Sequence, residues 1–404
     1  MEYDVIVIGG GPAGMMTGLL FARAGIPTLV LEKHGDFLRD FRGDTVHPST
    51  MEILSELGML GRFLKRPHNR IDQAIVRVAG QSMILGDLRF LKTPAPFIAM
   101  MPQWDFLDFL KTEAAHFPAF QLRMNADVEG IVEDRGKVCG VTLVDGEALS
   151  ARKLVIFADG RDSLVRRQHL LPVTELGAPM DVLWFRLPRN PDDSEGLRGI
   201  FEAGRVMVLI GRGDYWQCAF VIPKGGGDAL KQRGIASFRA EVEAALPEMG
   251  SLEEILTDID QLKLLTVIRD RLDQWFLPGL LVIGDAAHAM SPLGGIGINL
   301  AIQDAVAAAN ILSRAILAGD DPYALLPKVQ ARRLLPTRII QAGQGLAQNG
   351  FISPLIRPDA TLTRPPRILS LLKRFPRLRR IPGRIIGLGV RREHVRSPAA
   401  PQVG

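Results

Sequence analysis

Cysteine is scarce in this chain of 404 residues, which carries only Cys139 and Cys218. Neither sits in a CxxC or Cys/His cluster, so a disulfide framework is excluded, and a reducing, cytoplasmic setting is the expectation. There is no HExxH segment, no paired-histidine spacing and no Ser/His/Asp set that can be ordered from sequence, so no metal is expected. The apolar stretch within the first 31 residues lacks the basic start of a signal peptide: Glu2 and Asp4 stand there, and Arg23 interrupts it. A second stretch, from Leu280 to Ile302, is broken by Asp285 and His288, so no membrane span is expected. Internal repeats and low-complexity segments are also missing.

What is present is the composition of a folded protein, 47% hydrophobic and 23% charged. The length suits two intertwined domains. Net charge is +5, unevenly spread: twelve Lys or Arg between Arg357 and Arg396 meet only Asp359 and Glu393, leaving about +10 on this tail and a mildly acidic remainder. Charge confined to one arm gives no reason to expect a nucleic-acid partner.

An apolar run ending at Ile8, a helical pattern from Ala13 to Ala24 and a second apolar run from Thr28 to Leu31 predict a βαβ unit with a right-handed crossover. Short strands are expected around His68 to Met101, a helix from Trp104 to His116, and a hairpin or meander from Ala126 to Leu149 that turns at Asp145-Gly146. A separate buried strand is expected from Lys153 to Phe157. From Pro179 to Trp275, β-branched and aromatic runs separated by Gly, Pro and Asp predict a mostly antiparallel sheet with one helix near Lys231 to Leu246. The strand Leu280 to Ile283 and a helix from Asn299 to Leu317 then return to the first domain. The expected division is a discontinuous nucleotide domain (1–178 and 276–350, with 68–102 contributing to the substrate sheet), an inserted substrate domain (179–275) and a basic helical arm (351–404).

Gly9-Gly10-Gly11-Pro12-Ala13-Gly14 has the GxGxxG form between the first strand and helix, and Glu32 ends the next strand. Gly9 permits the tight turn, Gly11 lets backbone approach a pyrophosphate and Gly14 allows close helix packing. The helix N-terminus faces the phosphates, and Glu32 accepts ribose hydroxyls. Strand, helix and acidic residue in this order predict a dinucleotide site, without deciding between FAD and NAD. Gly211-Arg212-Gly213 lacks a third glycine and enters another strand at Tyr215, so it reads as a hairpin turn and not as a second nucleotide fold.

Two further motifs follow strands: Asp159-Gly160-Arg161-Asp162-Ser163-Leu164-Val165-Arg166, and Gly284-Asp285-Ala286-Ala287-His288 with Pro292-Leu293-Gly294-Gly295-Ile296-Gly297-Ile298-Asn299. With the N-terminal fingerprint they resemble the p-hydroxybenzoate hydroxylase family, the single-component FAD-dependent aromatic hydroxylases, from Val5 to about Leu317. The resemblance implies an α/β fold: a Rossmann-like FAD-binding domain of the glutathione reductase type, an inserted mostly antiparallel substrate sheet and a C-terminal helical segment. It implies noncovalent FAD, NAD(P)H as transient co-substrate, and O₂ used through a C4a-hydroperoxyflavin to hydroxylate an apolar aromatic or polycyclic molecule. Asp159 and Gly160 then serve FAD and nicotinamide handling, and Asp285 the ribityl chain. Arg42 lies beside the flavin and Gln103 touches FAD; Lys33 and Val128 join these cofactor contacts. The alternatives are an FAD-dependent reductase, oxidase or dehydrogenase that inserts no oxygen, and a flavin-bearing protein that binds a lipophilic ligand. The halogenase motif WxWxIP is absent, since Cys218-Ala219-Phe220-Val221-Ile222-Pro223 has neither tryptophan. The histidine after the GDAA segment sets the chain apart from prenyl-chain reductases.

Independently of the family, Gly294, Gly295 and Gly297 let backbone lie against a flat ring, and a helix opened by Asn299, with Ile298 before it, aims N–H groups at the ring's carbonyl edge. Catalytic candidates are Arg42 and Pro292, with Tyr215 and His47 as candidate bases; His288 reads as an organiser of backbone hydrogen bonds. Trp184, Phe185, Phe201, Tyr215, Trp216 and Phe220 are expected on the inserted sheet, some in its core and some facing the ring. The basic arm, where Leu371, Leu372, Phe375, Leu378 and Ile381 interleave with Lys and Arg, reads as a helix packed on the body or a homodimer contact, with peripheral docking on anionic lipid as the alternative.

Overall fold

A computed structural model describes residues 2–38, 45–190, 196–357 and 359–400, apart from the side chains of residues 367 and 368. Arg42 lies outside the described residues. In chain order the elements used below are β1 (Tyr3–Ile8), α1 (Pro12–Arg23), β2 (Thr28–Leu31), α2 (Pro48–Glu56), β3 (Gln73–Val78), β4 (Gln81–Asp87), α3 (Gln103–Ala114), β5 (Phe120–Arg123), β6 (Val128–Asp134), β7 (Lys137–Leu143) and β8 (Ala148–Phe157). The inserted region holds β9 (Met180–Pro188), β10 (Leu197–Glu202), β11 (Arg205–Arg212), β12 (Tyr215–Pro223), α4 (Gly227–Ala245) and β13 (Lys263–Leu265). The chain ends with β14 (Phe276–Leu277), β15 (Leu280–Val282), α5 (Gly297–Leu317), α6 (Leu326–Ala347), α7 (Arg367–Arg374) and α8 (Arg380–Leu388).

The first sheet runs β14-β15-β8-β1-β2-β5, with β15, β8, β1, β2 and β5 parallel. Its strands are apolar on both faces because both are covered. Val5 and Val7 join Leu154 and Ile156 against α1 and α5, whereas Ile6, Ile8, Val155 and Phe157 face the β6–β7 meander. The meander and the strand expected at Lys153 prove to be one element: β8 pairs with β7 through Ser150 and then continues into the parallel sheet beside β1. Its first half alternates in exposure and its last four residues are wholly buried, so on pattern alone the two parts read as separate strands.

The second sheet, ordered β13-β9-β12-β11-β10-β3-β4, is antiparallel except where β10 runs parallel to β3. Alternation sorts its aromatics. Phe185, Trp216 and Phe220 pack under α4, while Trp184 and Phe201 lie in clusters on the opposite face. The helix over this sheet begins at Gly227, with a break at Gly234.

The helical segment Leu293–Leu317 is long and apolar enough to cross a membrane, yet 72% of its most apolar window is buried inside the protein. Asp304 in its middle is ion-paired with Arg333, as befits a core helix.

The C-terminal arm folds back onto the body. A Cβ at Gly383 of α8 would lie 2.1 Å from the Asp87 carbonyl oxygen of β4. Beyond α8, Arg392 pairs with Glu52, His394 with Glu56, and the Ala400 N–H donates to the Arg23 carbonyl at the end of α1.

Candidate functional site

The N-terminal turn is built by close approach. A Cβ at Gly14 would sit 1.8 Å from the Gly9 carbonyl oxygen, and one at Gly9, whose φ is +99°, 2.5 Å from the Ala158 carbonyl oxygen. At Gly11, in contrast, a Cβ would meet nothing within 4 Å. Protein therefore crowds the turn where strand, helix and β8 converge and leaves open the side on which Pro12 starts α1. Ala13 is buried in the helix interface, so its contribution to a ligand is backbone. Open space at a helix N-terminus fits a pyrophosphate.

Glu32, at the end of β2, already has partners: one carboxylate oxygen accepts the Gly10 N–H at 2.9 Å, and the other meets the His34 backbone N–H and ring Nδ1 at 3.1 and 2.5 Å. Lys33 is exposed and Val128 is buried at the start of β6. Gln103 is the first residue of α3 and makes no side-chain hydrogen bond with any described residue.

Asp159 accepts the Leu164 N–H at 2.8 Å through Oδ2, while its buried Oδ1 has no partner. Burial pushes its pKa above the usual carboxylate value, against its hydrogen bonds. This carboxylate thus caps the turn Leu164–Arg167 and leaves one oxygen for a ligand. The following Arg161 pairs with Asp285, Nε to Oδ2, at 3.1 Å. Arg166 donates to the Ala286 and Asp285 carbonyls at 2.7 and 3.3 Å and pairs with Asp270 at 2.5 Å. The second motif therefore grips the third, a role that the spacing alone did not reveal.

Asp285 sits at the head of α5: a Cβ at Gly297 would lie 3.7 Å from its Oδ1. The helix begins at Gly297, two residues before the expected start at Asn299. Asn299 is buried with its amide committed: Oδ1 accepts the His47 N–H and the Thr50 hydroxyl at 2.8 Å each, and Nδ2 donates to the Thr45 and Gly295 carbonyls at 3.3 Å. What Asn299 offers a ligand is its backbone N–H, alongside those of Gly297 and Ile298. Gly295, at φ +62°, lies so close to Thr45 that a Cβ would meet its Oγ1 at 2.4 Å. Pro292 accepts the Gly295 N–H at 3.0 Å, closing the turn.

Three glutamines on one face of the last long helix and its continuation brace this loop. Gln341 donates to Ala289, Gln344 to Ser291 and Leu293, and Gln348 to the Ser291 hydroxyl. Their i, i+3, i+7 spacing is a legible signal, though only contact with the loop gives it meaning.

His288 is buried, with Nε2 2.6 Å from Asp304 Oδ2, an oxygen that also accepts the Gly284 N–H at 3.1 Å. Arg333, fully buried, donates to Asp304 Oδ1 at 2.8 Å and meets Glu393 at 3.4 Å. Burial opposes charge on Asp304, but His288 and Arg333 hold its carboxyl below the usual range. His288 is thereby a fixed support of the GDAA turn. His47 is likewise buried, with Nδ1 2.7 Å from the Ile386 carbonyl and Nε2 unpartnered.

Tyr215 lies at the hairpin end of β12 with the Arg186 guanidinium 5.0 Å from its ring centroid. Leu293 of the loop packs with Val221, near the other end of that strand. Tyr215 stands six positions before Val221 in the strand, about 20 Å at strand rise.

The open face at Gly11, the unpaired Asp159 oxygen, the carboxylate at the head of α5 and the free N–H groups there fit a dinucleotide carrying a ribityl chain and a flat ring. Comparison with known proteins agrees. The family described as FAD binding domain matches residues 2–341. The 6-methylpretetramide 4-monooxygenase of Streptomyces rimosus is 34% identical over 386 residues, covering 92% of this chain and 91% of that protein. The rifampicin monooxygenase of Streptomyces venezuelae is 29% identical over 75% of this chain, which spans only 62% of that protein. Among solved structures, the anhydrotetracycline hydroxylase OxyS of S. rimosus shares the fold at a TM-score of 0.72 and 24% identity, covering 99% of this chain and 78% of that one. With fold, motifs and sequence match in agreement, the chain belongs to the FAD binding domain family.

Proposed function

We infer that this flavoprotein is a monooxygenase that uses NAD(P)H and O₂ to hydroxylate an apolar aromatic or polycyclic small molecule. The observation that carries the reading is the junction of the loop at the head of α5 with the apolar face of the inserted sheet. Leu293 packs with Met180, Val206 and Val221, and that face continues through Val182, Trp184 and Val208 to Met100. Met100 pairs in turn with Thr45, whose hydroxyl holds Gly295. A flat ring at the α5 N-terminus is therefore roofed by apolar side chains, which suits a lipophilic substrate and excludes water. The names of the relatives, which oxygenate 6-methylpretetramide and rifampicin, support the same class.

In this reading the α1 N-terminus and Gly11 hold the pyrophosphate, Glu32 the adenosine ribose, and Asp285 the ribityl hydroxyls, with Arg161 balancing its charge. When bound, FAD supplies the electrons taken from NAD(P)H and the position at which O₂ is activated. The N–H groups opening α5 stabilise negative charge at the ring's carbonyl edge. Arg42 is assigned to the ring by the family resemblance. The test is turnover under labelled O₂ with a panel of phenols, quinones and polyketides, scored for stimulated NAD(P)H oxidation. Label in the product supports the reading. Turnover without label replaces it by a non-oxygenating oxidoreductase, and no turnover at all by a ligand-binding role.

A further inference from the structure

The arm beyond the family match has two faces with different chemistry. One is packed on β3 and β4: Leu369 is buried with Val76, Val78 and Met83, and Gly383 and Leu388 are buried in α8. On the other, Leu371 and Phe375 are 42% and 50% exposed, and Ile381 and Ile385 58% and 43%. Each pair is spaced i, i+4, which places it on one side of its helix. Since both helices rest on β4, both exposed pairs turn away from the body.

Five exposed cations lie along this stretch: Arg374, Arg377 and Arg384, with Lys373, which donates to Gln81 of β4 at 3.3 Å, and Arg380, whose guanidinium is 5.3 Å from the Phe90 ring centroid. None has a carboxylate partner among the described residues, and the chain has no acidic residue between Asp359 and Glu393. Arg379, by contrast, turns back onto the Leu372 and Lys373 carbonyls and closes the end of α7. Exposed bulky apolar groups in a cluster mark an interaction surface. A nucleic-acid backbone would use the cations and leave the four apolar side chains in water. The boundary between anionic headgroups and acyl chains uses both.

We propose that the outer face of α7 and α8 docks this protein on anionic membrane surfaces, peripherally and reversibly. The docking goes beyond the monooxygenase reading and does not depend on it, because the experiment involves no turnover. The FAD-loaded full-length protein is sedimented with vesicles of phosphatidylcholine alone or with phosphatidylserine, at low and high salt. Binding to the phosphatidylserine vesicles at low salt is expected, with release at high salt and little binding to phosphatidylcholine. Each surface cation contributes about fivefold in partitioning, so Arg374→Glu with Arg377→Glu should lower binding by more than about tenfold. Phe375→Ser with Ile381→Ser should also lower it. Unchanged flavin content in both double variants establishes that they are folded. No binding at low salt, equal binding to phosphatidylcholine, or full binding by the charge-reversed variant overturns the proposal. So does a dimer in solution that these same substitutions dissociate, because the face then belongs to a second copy.

Discussion

His47 should make the fold sensitive to mild acid. Burial drives its imidazole from the ordinary 6.5 down to about 4, only partly offset by the Ile386 carbonyl. With Nδ1–H donated to that carbonyl, a second proton would have to sit on Nε2, which is buried without an acceptor. In the unfolded chain the same ring takes its proton near 6.5. Between the two values the unfolded state binds more protons, so stability rises with pH. The contribution of neutral His47 is complete above about pH 6.5 and is lost as pH falls toward about 4. The whole difference is worth about 3 kcal/mol, of which about 1.4 kcal/mol is gone at about pH 5.5.

The loss should be felt at the site, because the His47 N–H holds the Asn299 amide and its ring holds α8. The assay is urea unfolding of the FAD-loaded protein across this range, for the parent and for His47→Asn, whose amide keeps a donor toward Ile386 and does not titrate. The parent should lose about 1 to 1.5 kcal/mol more than the variant between about pH 7.5 and about pH 5.5. Parallel curves would refute the argument. Asp304 titrates in a different window: held low by His288 and Arg333, it contributes stability that is present above about pH 4 and lost only as pH falls below it.

Gly14→Val should strip the flavin, since its first side-chain atom already falls 1.8 Å from the Gly9 carbonyl oxygen; full flavin absorbance after desalting would contradict the fingerprint. Asp285→Ala should raise the FAD dissociation constant by about tenfold or more, through loss of charged hydrogen bonds. Arg42→Ala should keep much of the FAD but slow its reduction or release hydrogen peroxide; calorimetric titration and peroxide yield separate the two variants. Glu393→Ala should lower stability by about 2 to 4 kcal/mol, because it weakens the partnership of the buried Arg333; a melting temperature equal to the parent's would show that Asp304 alone suffices.

The parts of the site that sequence made legible are those whose physics is local. A turn needing glycine at two contacts, a helix start beside it and a carboxylate at the end of the next strand lie within the first 32 residues. The two later motifs were legible as strand ends carrying Asp159 and Asp285. Their mutual grip through Arg166 and Asp270 was not, because it depends on Asp270 being brought beside the GDAA turn, where its carboxylate also accepts the Ala289 N–H. The task of the Asn299 side chain was not legible for a related reason. Its place near a helix start points to its backbone N–H, whereas the side chain is held by tertiary contacts with residues 45–50. For the glutamines at 341, 344 and 348, only the loop packed against them shows why three neutral donors stand on one buried face.

The C-terminal segment reaches the turn that presents Asp285 through a chain of charged groups. From the Gly284 N–H, Asp304 leads to Arg333, and Arg333 leads to Glu393, with Arg332 also bound to that carboxylate at 2.6 Å. Three charged groups, Asp304, Arg333 and Glu393, are thereby removed from water, an arrangement stable only while each keeps its partners. Asp304 cannot hold both His288 and the Gly284 N–H with one oxygen unless its other oxygen is fixed, and Arg333 fixes it. Arg333 in turn needs a second acceptor for its guanidinium, which Glu393 and the Arg391 carbonyl provide. The last described stretch, although it follows the helical arm and lies beyond the family match, therefore completes the hydrogen-bond set of the turn that presents Asp285. Residues 391–393 are thus tied by hydrogen bonds to the turn that presents Asp285, although the helical arm separates them from it in sequence.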